Sequence, residues 1–120
     1  MLVDDSELGR AALGIHLTQT GFDVVGQVGD GRAGIVLAAD LRPDVAVIDM
    51  EMPDLDGVET TRQMKAVSPA TTIILFSSHE AEELPRLAAE AGADAYLLKS
   101  SARSMDTLAA LIPALTPSLV

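Results

Sequence analysis

The chain has 120 residues, 48% of them hydrophobic, and a formal charge of −10 at pH 7. It is long enough for one domain with a real core and too apolar to be disordered. So acidic a surface repels phosphate backbones and anionic lipid, and aromatic residues, at 2%, are too few for a base-stacking platform. The absence of cysteine excludes a disulfide framework and thiolate-held zinc or iron–sulfur sites. No apolar run approaches a membrane span and no signal peptide opens the chain, which points to the cytoplasm.

Short, continuously apolar runs alternate with stretches of helical spacing. The first run, Met1 to Val3, ends at Asp4-Asp5-Ser6. Leu8, Ala11, Ala12 and Ile15 then share a helical face, with Gly21 as the stop. Phe22 to Val28 reads as a second strand, Arg32 to Leu41 as a helix ended by Pro43, and Val45 to Ile48 as a third strand. A helix starts after Gly57, and Thr72 to Phe76 forms a fourth strand. The next helix starts near Leu84, with Pro85 in its first turn, and ends at Gly92. Ala95 to Leu98 is the fifth strand; Met105, Leu108, Ala109 and Ile112 mark a last helix, limited by Pro113. Strands this apolar are buried on both faces, so the predicted fold is α/β, a doubly wound five-stranded parallel sheet with helices on both faces. Residues 1–115 form the domain and 116–120 a tail or the start of a linker.

The chemistry sits where the strands stop. Val3 is followed by Asp4 and Asp5, Ile48 by Asp49, Phe76 by Ser77 and Ser78, and Leu98 by Lys99. Parallel strands bring these groups to one edge, the carboxyl edge at which open α/β sheets bind ligands. Three aspartates there make an oxygen-rich pocket for a hard divalent cation such as Mg2+, which favours a few carboxylates, water and a phosphate oxygen. An ammonium and a hydroxyl beside them suit the remaining oxygens of a phosphoryl group. Asp49 is central, so its carboxylate is the candidate nucleophile toward a phosphoryl donor, with the metal and Lys99 neutralising the developing charge.

The pattern resembles the receiver domain of two-component response regulators over nearly the whole chain. The matching pieces are the acid pair in "LVDDS", "DMEMPDLDG", "IILFSSHE" and "GADAYLLKS"; Asp49 follows Asp5 by 44 residues and Lys99 follows Ser77 by 22. The resemblance implies a (βα)5 flavodoxin-like fold. It implies that Asp4 and Asp5 hold the metal with Asp49, the phosphoacceptor, and with the backbone carbonyl of Glu51, whose long acidic side chain also reaches the metal through water. It further implies that Ser77 and Lys99 bind the phosphate, and that Ser77 and Tyr96 form the switch reshaping the face around the fourth helix and fifth strand. The implied partners are a histidine kinase or phosphotransfer protein, an output domain beyond this segment, and a second copy on phosphorylation; neither nucleic acid nor membrane is contacted by this domain. "LLKS", with Ser100-Ser101 where the family often has proline, looks like receivers joined to helix-turn-helix output domains. The resemblance also implies that the chain catalyses only its own phosphorylation and dephosphorylation and is not classed as an enzyme. A receiver-like interaction domain that is not phosphorylated and a small phosphatase are the competing readings.

Each residue also has a plainer reading. Ser6 caps a helix, Pro53 and Gly57 shape a loop, Tyr96 is a core ring, and His16 is a surface or boundary histidine. Ser78 is an alternative to Ser77, though the spacing favours Ser77, and His79 would flank the phosphate. "GDGRAG", Gly29 to Gly34, has the dinucleotide-binding spacing but leaves Asp4, Asp5, Ser77 and Lys99 unexplained. "DLDGVET", Asp54 to Thr60, mimics the nucleophile motif of haloacid-dehalogenase phosphatases, yet Asp54 follows Pro53 rather than a buried strand. The same loop is out of register for an EF-hand.

Overall fold

A computed structural model describes residues 1–78, 82–99 and 103–116. Five strands and five helices alternate: β1 (Leu2–Val3), α1 (Glu7–Gln19), β2 (Gln27–Val28), α2 (Gly31–Leu41), β3 (Val45–Asp49), α3 (Gly57–Val67), β4 (Thr72–Ser77), α4 (Leu84–Glu90), β5 (Ala95–Leu98) and α5 (Ser104–Leu115). All strand pairings are parallel, in the order β2-β1-β3-β4-β5. The fold is the doubly wound α/β architecture read from the apolar runs.

Strand alternation sorts the core into two layers, because successive side chains face opposite sides. Val3, Ala46, Ile48, Ile73 and Leu75 pack with Ala38 of α2, Met64 of α3 and Ala88 of α4. Leu2, Val47, Ile74 and Phe76 pack with Leu13 and Leu17 of α1 and Leu108 and Ile112 of α5. Three helices therefore cover one face and two the other. The central strands β1, β3 and β4 are buried almost throughout, while Gln27 of the edge strand β2 faces water and β5 is half-buried.

Two of the bounds differ from expectation for packing reasons. The run from Phe22 to Val28 yields only a two-residue strand, because β2 is an edge strand whose sole partner, β1, offers Leu2 and Val3. Phe22 and Val24 still pack against the α1/α5 layer, which is why the stretch is apolar without being laddered. The last helix does not stop at Pro113 but runs through it to Leu115. Proline removes one backbone bond there, and packing of Leu111, Ile112 and Leu115 into the same layer offsets the loss. Pro85, by contrast, sits in the first turn of α4, where its missing N–H has no intrahelical partner to lose.

The chain order places a switch point between β1 and β3. β1 leads outward to β2, and the chain then returns to β3 on the other side of β1. The loops leaving β1 and β3 diverge there and open the crevice where such sheets take ligands.

Candidate functional site at the carboxyl edge of the sheet

Asp4 leaves β1 buried, at 7% exposure, and is held from both sides. Its Oδ1 accepts from the Ser6 N–H (2.9 Å), and its carbonyl accepts from Arg10 Nη1 (2.6 Å). Ser6 is the N-cap of α1, accepting from the Gly9 N–H at 3.1 Å, so the capping reading and the acid-loop reading are both satisfied by one turn. Asp5, the next residue, is exposed. Asp49 ends β3, opposite Phe76 of β4, and is 8% exposed. One carboxylate oxygen from each of Asp4, Asp5 and Asp49 lies within 4.8 Å of the others. That donor set, all hard oxygen, fits a small divalent cation.

Lys99 comes off β5 into the same crevice. Its Nζ stands 3.2 Å from Asp4 Oδ2, 3.3 Å from Asp49 Oδ1 and 5.5 Å from the centre of the Phe76 ring. Its backbone N–H donates to the Ser77 carbonyl at 2.7 Å, which ties the exits of β4 and β5 together. Ser77 itself is fully buried, whereas Ser78 is exposed; the crevice hydroxyl is Ser77. Its Oγ donates to Glu51 Oε1 at 3.2 Å. Glu51, exposed between the buried Met50 and Met52, follows β3 in a loop, and its side chain, expected at the metal, is found against this hydroxyl.

The electrostatics are poised. Burial pushes the Asp49 carboxyl up to about 6, Lys99 pulls it down, Asp4 pushes it up again, and the Glu51 N–H (3.4 Å from Oδ1) draws it down slightly. One ammonium is shared between two carboxylates, and at neutral pH the pocket holds more negative charge than its own lysine neutralises.

Gly57 fixes the loop between β3 and α3. Its N–H donates to the Met50 carbonyl at 2.9 Å, and a Cβ at this position would lie 2.6 Å from the Asp49 carbonyl oxygen and 2.7 Å from Met50 Cα. Only glycine lets α3 start this close to the strand end carrying Asp49. Gly57→Ala should therefore lower the melting temperature by roughly 4–12 °C, an overpacking loss of about 1–3 kcal/mol. An unchanged melting temperature in differential scanning calorimetry would mean that the loop is not set by this contact.

The two sequence decoys resolve structurally. In "DLDGVET", Asp54 is an exposed turn residue with φ 67°, and Asp56 is the N-cap of α3, accepting from the Glu59 N–H at 2.9 Å. Neither lies at a strand end. In "GDGRAG", Asp30 caps α2 by accepting from the Ala33 N–H at 2.7 Å, so the protein's own carboxylate takes the place an incoming phosphate would need. Gly34 lets α2 approach Val3, whose Cγ2 would lie 2.9 Å from an added Cβ. The glycines serve helix packing.

Of the residues singled out from the sequence, Asp4, Asp5, Asp49, Ser77, Lys99 and Glu51 all meet at this crevice. Tyr96 does not; it is half-buried on β5, paired with Leu75 and packed against the α2/α3/α4 layer. His16 sits in the last turn of α1 with Nε2 3.3 Å from Asp106 of α5, a boundary position away from the crevice. His79, Ser100, Ser101 and residues 117–120 lie outside the described residues. Two participants were missed: Arg10, which anchors the acid loop, and Phe76, whose ring lies under Lys99. Sequence spacing carries no signal for Arg10, whereas Phe76 is signalled by its place one residue before Ser77.

Known proteins resemble this chain in sequence and in fold. The profile of the family described as response regulator receiver domain matches residues 1–112. The response regulator protein VraR of Staphylococcus saprophyticus is 35% identical over 105 residues, covering 87% of this chain and 50% of that protein. VraR of Staphylococcus aureus is 35% identical over 102 residues, with 84% and 49% covered. The chain thus spans about half the length of the curated relatives it matches. Among solved structures, the signal receiver domain of the response regulator NarL from Mycobacterium tuberculosis superposes with a TM-score of 0.85 at 30% identity, covering 96% of this chain and 93% of that one. A LuxR-family two-component response regulator from Aurantimonas sp. SI85-9A1 gives a TM-score of 0.85 at 30% identity, with 98% and 84% covered. Sequence profile, identity and fold coincide over the segment that builds the crevice: the chain belongs to the response regulator receiver domains of two-component signalling systems.

Proposed function

We propose that this receiver is a magnesium-dependent phosphorylation switch with Asp49 as the phosphoacceptor. The observation that carries the reading is the convergence of Asp4, Asp5 and Asp49 within 4.8 Å, with Lys99 Nζ 3.3 Å from Asp49. Mg2+ would be held by Asp4, Asp5 and Asp49 with the Glu51 backbone carbonyl, and when bound it supplies charge neutralisation for an incoming phosphoryl group. An Asp49 carboxylate oxygen attacks the phosphorus of a phosphohistidine on a histidine kinase or phosphotransfer protein. The O–P bond forms as the P–N bond breaks, and the imidazole keeps the electron pair. Lys99 holds one phosphoryl oxygen and the Ser77 hydroxyl donates to another. Water later attacks phosphorus, releasing inorganic phosphate and restoring Asp49. The chain thereby catalyses its own loading and unloading and turns over no separate substrate.

The new dianion draws Ser77 toward it, and Tyr96 turns inward in response, changing the surface around α4 and β5. The readers of that surface are an output domain C-terminal to this segment and a second copy of the chain. Relatives about twice this length support the former, as does the Aurantimonas response regulator, a protein of the LuxR family. Among the described residues no helix is long and apolar enough to cross a membrane, and the proposed place of action is the cytoplasm.

Two measurements test this. Millimolar magnesium should raise the melting temperature, by a few degrees at tenfold excess over Kd, where linkage contributes about 1.4 kcal/mol; EDTA should reverse it. A melting temperature that magnesium leaves unmoved would count against the pocket. Acetyl phosphate with magnesium should load the chain with a hydroxylamine-sensitive phosphoryl group, while p-nitrophenyl phosphate should show no sustained turnover. Steady release of nitrophenol would favour a phosphatase instead.

A further inference from the structure

We infer that the Glu51 side chain is a latch on the Ser77 hydroxyl, a positioning element that must let go before a phosphoryl group can be held. The inference rests on the phosphoacceptor reading above and adds what the resting protein does with Ser77. A serine hydroxyl has one proton to donate. Here it goes to Glu51 Oε1, at 3.2 Å. A phosphoryl oxygen needs the same proton, so the two acceptors are mutually exclusive. They are also both anionic, and a carboxylate left beside a phosphoryl dianion is repelled by it.

The geometry says which partner gives up the bond to water. Ser77 is fully buried at the end of a laddered strand, with its carbonyl bonded to the Lys99 N–H. Glu51 is exposed and stands in a loop, so water can take its carboxylate once it swings away. In the unphosphorylated protein Glu51 thus stands in for the phosphoryl group at Ser77 and opposes the loaded state twice, through the bond and through its charge. Its backbone carbonyl stays available to the metal, since a side-chain substitution leaves it in place.

The test is calorimetric titration of beryllofluoride at saturating magnesium into wild type, Glu51→Ala and Glu51→Gln, with magnesium affinity measured separately on each. Glu51→Ala should bind beryllofluoride on the order of tenfold more tightly, the scale of one hydrogen bond to a charged acceptor. Glu51→Gln, which keeps a neutral acceptor for Ser77, should fall between the two, and magnesium affinity should change far less. Equal tightening by Ala and Gln would mean that charge alone acts, with no latch on Ser77. No tightening in either, or lost magnesium affinity with no gain for beryllofluoride, would also overturn the proposal, the latter placing the carboxylate on the metal. If wild type and both variants, all folded by their unfolding midpoints, take no beryllofluoride, the phosphoacceptor reading itself fails.

Discussion

Asp49→Asn should melt higher than wild type at pH 7 without metal, by roughly 4–8 °C, and the gap should close toward pH 4. The Asp49 carboxyl is pushed up to about 6 in the folded chain, chiefly by burial, from an ordinary value of 3.8. A raised acid binds more protons folded than unfolded, so its ionisation opposes folding. Below about pH 4 the group is protonated in both states and contributes no penalty. As pH rises from there through about 6 the penalty grows, and above 6 it is fully present. Discounted for the solvent that reaches one side of the crevice, it amounts to about 1–2 kcal/mol. Asparagine keeps the shape and never ionises, so the variant should lack this slope. Saturating magnesium should narrow the gap from the other direction, because it stabilises wild type more than the variant. A pH-independent difference would show that Asp49 acts on stability through packing rather than charge.

Lys99→Ala should separate metal binding from phosphoryl binding. Lys99 is the one ammonium within ion-pair distance of both Asp4 and Asp49 among the described residues. Without it the two buried carboxylates face each other unrelieved, and the metal-free protein should lose about 2 kcal/mol, less than a fully buried pair would because the crevice is open on one side. Magnesium can replace the lost positive charge, so its affinity should hold or tighten, and its stabilisation of Lys99→Ala should exceed that of wild type. Beryllofluoride has no such substitute. Its affinity should fall by about 100-fold or more, the loss of a charge-assisted contact to an anion. Parallel titrations of magnesium and beryllofluoride would show the split. If both affinities collapsed together, Lys99 would instead be needed to build the pocket.

Much of this was legible in the sequence, because a parallel sheet makes strand ends informative. Ile48, Phe76 and Leu98 each close a continuously apolar run, so the sequence alone places Asp49, Ser77 and Lys99 on one edge. Burial on both faces produced those runs. The apolar run from Phe22 to Val28 outlasts its strand for a related reason: Phe22 and Val24 are apolar because they pack on the α1/α5 layer, yet ladder length is set by the partner strand, and β1 offers two residues. Pro113 misled in the opposite direction, since local backbone chemistry predicts a stop that tertiary packing of Ile112 and Leu115 overrides. Least legible were contacts made by loop side chains. Glu51 could be placed near the site from its distance to Asp49, but whether its carboxylate met a metal or Ser77 depends on a rotamer. Arg10 reaches the Asp4 carbonyl across a helix cap, a contact no spacing rule encodes.

The central claim, that Asp49 takes a phosphoryl group in a magnesium-dependent reaction, is tested most directly by intact mass after incubation with acetyl phosphate. Wild type with magnesium should gain one phosphoryl adduct, EDTA should prevent it, and Asp49→Asn should gain none. An adduct that persists in Asp49→Asn would contradict the assignment of the acceptor. A folded wild type that gains none would contradict the switch itself and favour a receiver that acts through constitutive contacts.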